Sequence, residues 1–190
     1  MAFVSLPLPA LENSLNMNPP RLNPASITIG FLAAAALRRY AMLIGMNILP
    51  LSIMRVWLLR LCGVTIGADC YVGFGVMVDT NYPNLIKIGN HVTISHGCTL
   101  VTHTQSPVTY SALKKTINDV REIVIDDGSW LGLNVILLPG AIVRTNCLIG
   151  AGSVVPALET KANSLYAGNP ARFKKYIHEN IFTDNRELLD

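Results

Sequence analysis

The stretch Ile125–Val155 reads IDDGSWLGLNVILLPGAIVRTNCLIGAGSVV, and an aliphatic residue recurs in it every six positions: Ile125, Leu131, Leu137, Val143, Ile149 and Val155. Four residues after each of the first five comes a small or medium side chain: Ser129, Val135, Ala141, Cys147 and Ser153. A helix would repeat every ~3.6 residues and a half-buried strand every ~2. A step of six suits a triangular coil instead. Each short strand forms one face, a small residue turns the corner, and three faces take about 18 residues per turn. Stacked turns then bury a continuous aliphatic column.

The same step appears twice upstream, as Ile66, Val72, Val78 and as Ile88, Ile94, Leu100, with Cys70, Val76, Val92 and Cys98 in the small slots. Three of the four cysteines, Cys70, Cys98 and Cys147, thus share one position of the repeat and read as buried packing residues. With no CxxC spacing, and with a first segment MAFVSLPLPALENS that lacks a basic stretch and is broken by prolines, the expectation is a reduced, cytoplasmic protein.

The register breaks at two places. Val78 and Ile88 stand ten residues apart, a small insertion around Thr80–Asn84. Leu100 and Ile125 stand 25 apart, so a 19-residue excursion leaves the coil just after Val101. Long loops in compact repeats are uncommon and usually functional. The chain therefore divides into an apolar helical segment over 1–62, a coil over 63–156 carrying an inserted loop at 104–122, and a C-terminal turn with a capping helix over 157–190.

Composition adds one constraint. The chain is 51% hydrophobic and 14% charged, with a mean hydropathy of +0.39, more apolar surface than a soluble monomer of this size hides easily. A large subunit interface or a membrane surface would cover the excess. Within Ile27–Leu61 the apolar run is interrupted by Arg38, Arg39, Asn47, Pro50, Arg55 and Arg60. That leaves no uninterrupted apolar stretch of about 18 residues to span a bilayer. Two helices packed on one end of the coil are the main reading. An interfacial pair on the inner membrane face, making 27–61 a peripheral contact, is the alternative. A net charge of +3 without a dense basic patch gives no reason to invoke nucleic acid.

Of the four histidines, His91, His96, His103 and His178, only His103 stands at the root of the long excursion. A neutral imidazole can take a proton from a hydroxyl near neutral pH. The pair His91 and His96, followed by Gly97-Cys98, is similar to a pair in the gamma-class carbonic anhydrases, which share this coil. A metal site of that kind needs a third histidine about two turns earlier, and none precedes His91.

Taken together, YPNLIKIGNHVTISHGCTLVTH (Tyr82–His103), IDDGSWLGLNVILLPGAIV (Ile125–Val143) and YAGNPAR (Tyr166–Arg172) resemble the hexapeptide-repeat acetyltransferases. The nearest branches are the maltose and galactoside O-acetyltransferases and the O-acetyltransferases of capsule and exopolysaccharide synthesis. LPLSIMRVWLLRLCGVTIG (Leu49–Gly67) is similar to the helix that leads into the coil of the polysaccharide-modifying branch.

The resemblance implies an all-β fold, a left-handed parallel β-helix, between N-terminal helices and a C-terminal helical cap. It implies acetyl transfer from acetyl-CoA to a hydroxyl of a sugar or a cell-surface polysaccharide precursor, in a homotrimer without a metal. His103 matches the catalytic base. Asp79 matches an acidic residue at the acceptor end of the cleft, with His96 near the substrate, and Trp130 matches a tryptophan bordering both acceptor and pantetheine. Gly132, Leu133 and Ala151 fall where the coil contacts CoA, and Lys161, Arg172 and Lys175 where cations meet its phosphates. Two positions depart from the pattern. Gly73 stands where sugar acetyltransferases carry an asparagine, and Pro156-Ala157 replaces a Thr-Lys pair. An N-acetyltransferase of an amino sugar or an antibiotic would use the same coil and base, while a metal hydratase or a non-catalytic scaffold would not use His103 in this way.

Overall fold

Burying the aliphatic slot of each hexapeptide, and nothing longer, cuts the chain into strands of two or three residues. The computed structural model describes residues 29–104 and 119–177. Two helices, α1 (Ile29–Ile48) and α2 (Ser52–Leu61), precede the coil. Its first turn is β1 (Thr65–Ile66), β2 (Tyr71–Val72) and β3 (Met77–Val78), and its second is β4 (Ile86–Ile88), β5 (Thr93–Ile94) and β6 (Thr99–Leu100). The excursion begins and ends with β7 (His103–Thr104) and β8 (Asp119–Val120). The third turn is β9 (Ile123–Ile125), β10 (Trp130–Leu131) and β11 (Ile136–Leu137), and the fourth is β12 (Ile142–Val143), β13 (Leu148–Ile149) and β14 (Val154–Val155). β15 (Ser164–Ala167) and β16 (Arg172–Tyr176) close the described chain.

Strands stack into three faces, parallel throughout except for the last strand of the second: β1-β4-β9-β12, then β2-β5-β10-β13-β15-β16, then β3-β6-β11-β14. The register places the six-residue pattern in three columns. Ile66, Ile88, Ile125 and Val143 are partners on the first face. Val72, Ile94, Leu131, Ile149 and Tyr166 are partners on the second, and Val78, Leu100, Leu137 and Val155 on the third. All of these are buried except Val78, which is half-buried. The coil is left-handed.

The small slots fill the interior corners. Cys98 and Cys147 are fully buried there, and their thiols donate to the carbonyls of Gly132 and Lys161 at 3.1 and 2.8 Å. None of the four cysteines forms a disulfide.

A stacked coil leaves unpaired backbone groups on its first turn, and an open edge invites aggregation unless covered. Here α2 covers it. Arg55, 1% exposed, donates Nε to the Val72 carbonyl at 2.9 Å and Nη1 to that of Leu49, while its guanidinium lies 4.1 Å above the Phe74 ring. Ser52 Oγ accepts the Val72 N–H at 2.8 Å, and Arg60 donates to the carbonyls of Ile66 and Gly67. These two arginines are therefore tied to the coil rather than turned to a headgroup layer. No helix among the described residues is long and apolar enough to cross a membrane.

The C-terminal end departs from expectation. Where a capping helix was expected, residues 172–176 form a strand antiparallel to β15, with Ala167 opposite Arg172 and Ser164 opposite Tyr176. β15 continues the second face by one strand and presents a fresh edge. A strand pairs that edge, whereas a helix would leave its N–H and C=O groups unmatched. The part of the expected helix from His178 on lies outside the described residues.

Arg55→Met would keep most of the side-chain volume but leave two carbonyls without their donors. Removing donors from buried acceptors costs about 2–4 kcal/mol in total, which a shift in the urea unfolding midpoint would reveal.

Candidate functional site

Leu100 locks into the third column and Val101 N–H still reaches the Leu137 carbonyl at 3.0 Å, so the chain leaves the coil at a fixed point. β7 and β8 then pair antiparallel, His103 opposite Val120, and form the base of the excursion. Arg121, beside β8, donates its N–H to the Thr102 carbonyl at 2.9 Å. One turn earlier, Asp79 follows β3, and its N–H donates to the Leu100 carbonyl at 2.9 Å. Stacking thus brings Asp79 beneath Thr102 and His103.

The Asp79 side chain is 2% exposed, that of His103 21%. Asp79 Oδ2 accepts from His103 Nδ1, from Thr102 Oγ1 at 2.7 Å and from the Thr102 N–H at 3.1 Å. Its Oδ1 accepts the N–H groups of Asn81 and Tyr82 at 2.9 and 3.4 Å. Burial pushes this carboxyl up. The bonds from His103, Thr102 and Asn81, with the imidazole's charge, outweigh burial and hold it below the ordinary carboxylate range. An ionised Asp79 accepting from Nδ1–H fixes the ring's tautomer and leaves Nε2 with its lone pair. Asn81 Nδ2 lies 3.2 Å from that Nε2, and the amide is oriented by Arg39 of α1, which donates to Asn81 Oδ1. The edge of the Tyr82 ring meets the imidazole, with centroids 5.4 Å apart.

His103, Asp79, Asn81 and Arg39 stand on the wall of a cavity of about 310 Å³ between α1 and the third face. Asp79, expected at the acceptor, faces the imidazole with both oxygens occupied. Trp130 and His96 do not line this cavity. His96 turns the corner after β5, where Nδ1 accepts the Phe74 N–H at 3.0 Å and the ring stacks on Phe74 at 5.6 Å. That gives it a place in the corner packing rather than beside His103. His91 is exposed, 3.7 Å from Asp69. Among the described residues no group of three or more His, Cys, Asp or Glu side chains is placed to hold a metal ion.

The remaining expected residues lie along the second face. Trp130 is 43% exposed and donates Nε1 to Ser95 Oγ at 3.0 Å. Gly132 and Leu133 follow β10, and Ala151 follows β13, at the same corner one turn apart. A Cβ at Gly132 would stand 2.7 Å from the Ala151 nitrogen, so only glycine fits. Arg172 opposes Ala167 at the same margin, a turn beyond Ala151. Lys161 and Lys175 lie toward the opposite margin: Lys161 Nζ is 5.3 Å from the Phe173 centroid, and Lys175 opposes Leu165. Gly73, the departure from the family pattern, has its own cause. A Cβ there would sit 2.6 Å from the His96 nitrogen.

No sequence-family model matches the chain. Protein CapG of Staphylococcus aureus is 35% identical over 120 residues, which cover 63% of this chain and 69% of that protein. The chain belongs to the hexapeptide-repeat acetyltransferases. Galactoside O-acetyltransferase of Lactococcus lactis is 32% identical over 120 residues, covering 61% of this chain, and the match spans only 57% of that enzyme's length. A solved galactoside acetyltransferase in complex with coenzyme A superposes with a TM-score of 0.54 at 25% identity, over 82% of this chain and 86% of that one.

Within this member of the family, Asn81 and Arg39 are the residues of the candidate site that sequence reading missed. Asn81 sits in the small insertion after Val78, a break in register noticed in the sequence but not connected to His103. Arg39 comes from a helix 64 residues before His103, and no spacing links them.

The depressed Asp79 carboxyl makes a pH prediction. Its contribution to stability is in place above the unfolded value of about 3.9 and fades as pH falls through the lower folded value. Asp79→Asn should destabilise the protein at neutral pH, and the gap to wild type should close in acid below about pH 4. Urea unfolding across the acid range measures both arms.

Proposed function

We propose that the protein is an acetyl-CoA-dependent O-acetyltransferase that modifies a hydroxyl of a sugar or a cell-surface polysaccharide precursor, with His103 as general base. The observation that carries this reading is the imidazole's setting: Nδ1 is bonded to a buried, ionised Asp79, His103 lines the cavity, and Nε2 is an acceptor whose present donor is the Asn81 amide, which an acceptor hydroxyl would replace. The acceptor hydroxyl would give its proton to Nε2 as its oxygen bonds to the thioester carbonyl carbon. The resulting oxyanion needs a preorganised donor. As the C–S bond breaks, the imidazolium returns the proton to the departing thiolate of CoA. Asp79 stabilises the imidazolium between those two transfers.

The donor would lie along the second face. Gly132, Leu133 and Ala151 line one margin over two turns and Arg172 ends it, while Trp130 shares a strand position with Leu148, Leu165 and Lys175 toward the other, with Lys161 as a further cation for the phosphates. Among the described residues, Trp130 is not part of the wall of the His103 cavity within one chain. Acceptor and donor portions on different faces of a triangular coil support a closed ring of copies, in which one subunit's third face meets the next one's second face. A trimer closes such a heterologous contact, and it would also cover part of the large apolar surface.

His103→Ala should lower acetyl transfer by about 10²–10⁴-fold while keeping affinity for CoA, since the base meets the acceptor. His91→Ala should keep most of the activity. Turnover with labelled acetyl-CoA and a sugar panel decides between them, and a near-normal rate for His103→Ala overturns the assignment. Calorimetry with CoA should show weaker binding for Arg172→Ala, and no uptake at millimolar CoA by the wild type would remove the donor from the reading.

A further inference from the structure

The cavity beside His103 has a composition that a free sugar does not explain. Its polar groups gather at one end, where Arg39, Asn81, Asp79 and His103 already bond to one another. Asn47, further along, donates its amide to the Leu43 carbonyl at 2.7 Å. Thr80 and Thr99 add two hydroxyls from the coil, and the larger part of the wall is aliphatic or thioether: Met42, Leu43 and Met46 from α1 against Met77, Val78 and Leu100 from the coil. A polyol held there would lose hydrogen bonds to water without regaining them, a cost of about 1–3 kcal/mol per stranded group.

The apolar wall also leads somewhere. Met42 and Met46, one helical turn apart, are buried against the coil, whereas Leu43 is 50% exposed at the cavity's rim. Tyr40, one turn before Leu43, is 64% exposed, and Leu37, a turn before that, is 71% exposed. An apolar track therefore runs from the base to the outer face of α1. No Asp or Glu occurs anywhere between Ile29 and Leu61, so no carboxylate opposes an aliphatic chain laid along it.

We infer that the acceptor is amphiphilic: a saccharide hydroxyl at His103 Nε2, joined to an aliphatic chain that lies on Met46, Leu43 and Met77 and leaves across α1. The reason to commit to this occupant is the position of the base. Whatever is acetylated must bring its hydroxyl to one end of this cavity, so the part of the molecule next to that hydroxyl meets the apolar wall. The inference rests on His103 acting as the base toward acetyl-CoA.

The experiment uses the full chain, acetyl-CoA and a series of alkyl β-glucosides from methyl through hexyl to octyl, kept below their micelle concentrations. Each buried methylene strengthens binding by roughly fourfold, so kcat/KM should rise at least about tenfold from methyl to octyl, mainly through KM. Leu43→Gln and Met77→Gln, on different elements, should each cut the octyl-to-methyl ratio severalfold. A flat series, or a ratio that survives both substitutions, overturns the amphiphilic acceptor while leaving acetyl transfer intact. No transfer to any glucoside or free sugar, together with no CoA binding, would overturn the acetyltransferase reading itself and this inference with it.

Discussion

Everything in this molecule depends on one repeated fit: an aliphatic side chain every six residues, buried against its counterpart one turn away. A two-residue strand has almost no stability alone, because ordering its backbone costs about 1–2 kcal/mol per residue. Leu131 is held only because Ile94 and Ile149 lie below and above it in the same column. Stability in such a stack is a sum over neighbouring turns. The two ends, each with one neighbour missing, must be closed by other means. Arg55, Arg60 and Ser52 do this at the start, and β16 does it at the finish.

The same fit fixes the chemistry. Because Val78 and Leu100 are column partners, the residues just after them, Asp79 and then Thr102 and His103, are superposed one turn apart. The excursion can start only where the column releases the chain, and at that point the imidazole meets a carboxylate delivered from the turn beneath. Five donor contacts around Asp79 explain how a side chain so deeply buried stays ionised. Unpaired, a carboxylate in that position would protonate instead. The site's rigidity is then borrowed from the coil, and only the Asn81–Arg39 arm depends on the packing of α1.

What could be read in the sequence follows the same division. The three columns were legible because burial imposes a period, and a period survives in sequence without knowledge of any contact. His103 was legible because the period breaks beside it. Asp79 was singled out by family resemblance, and in the structure it lines the cavity while its carboxylate is bonded to the imidazole. Asn81 and Arg39 were not legible. One lies in an irregular insertion and the other on a helix far upstream, and their hydrogen bond follows from how α1 docks. The pairing of β16 escaped for a related reason: RFKKY (Arg172–Tyr176) has no clear alternation, and it is a strand because β15 offers an unpaired edge. His96, expected near the substrate, stands on the other side of β6 from His103, where its ring packs on Phe74.

The separation of the His103 cavity from the Trp130 margin follows from that geometry as well. A triangular coil turns the chain by a third of a revolution at every corner, so residues on adjacent faces diverge however close they are in sequence. Trp130 pairs with Thr93 on the second face, and His103 leaves from the end of the third. No side-chain rearrangement within the stack can bring them together, because either face would have to leave its aliphatic column. On the proposed reading, a base on one face and a donor channel along another would be joined by placing copies side by side, third face to second. The apolar residues left exposed in one copy, such as Met77 on the third face and Leu37 and Tyr40 on α1, fall on the surfaces that the proposed contact between copies and the proposed acceptor would use.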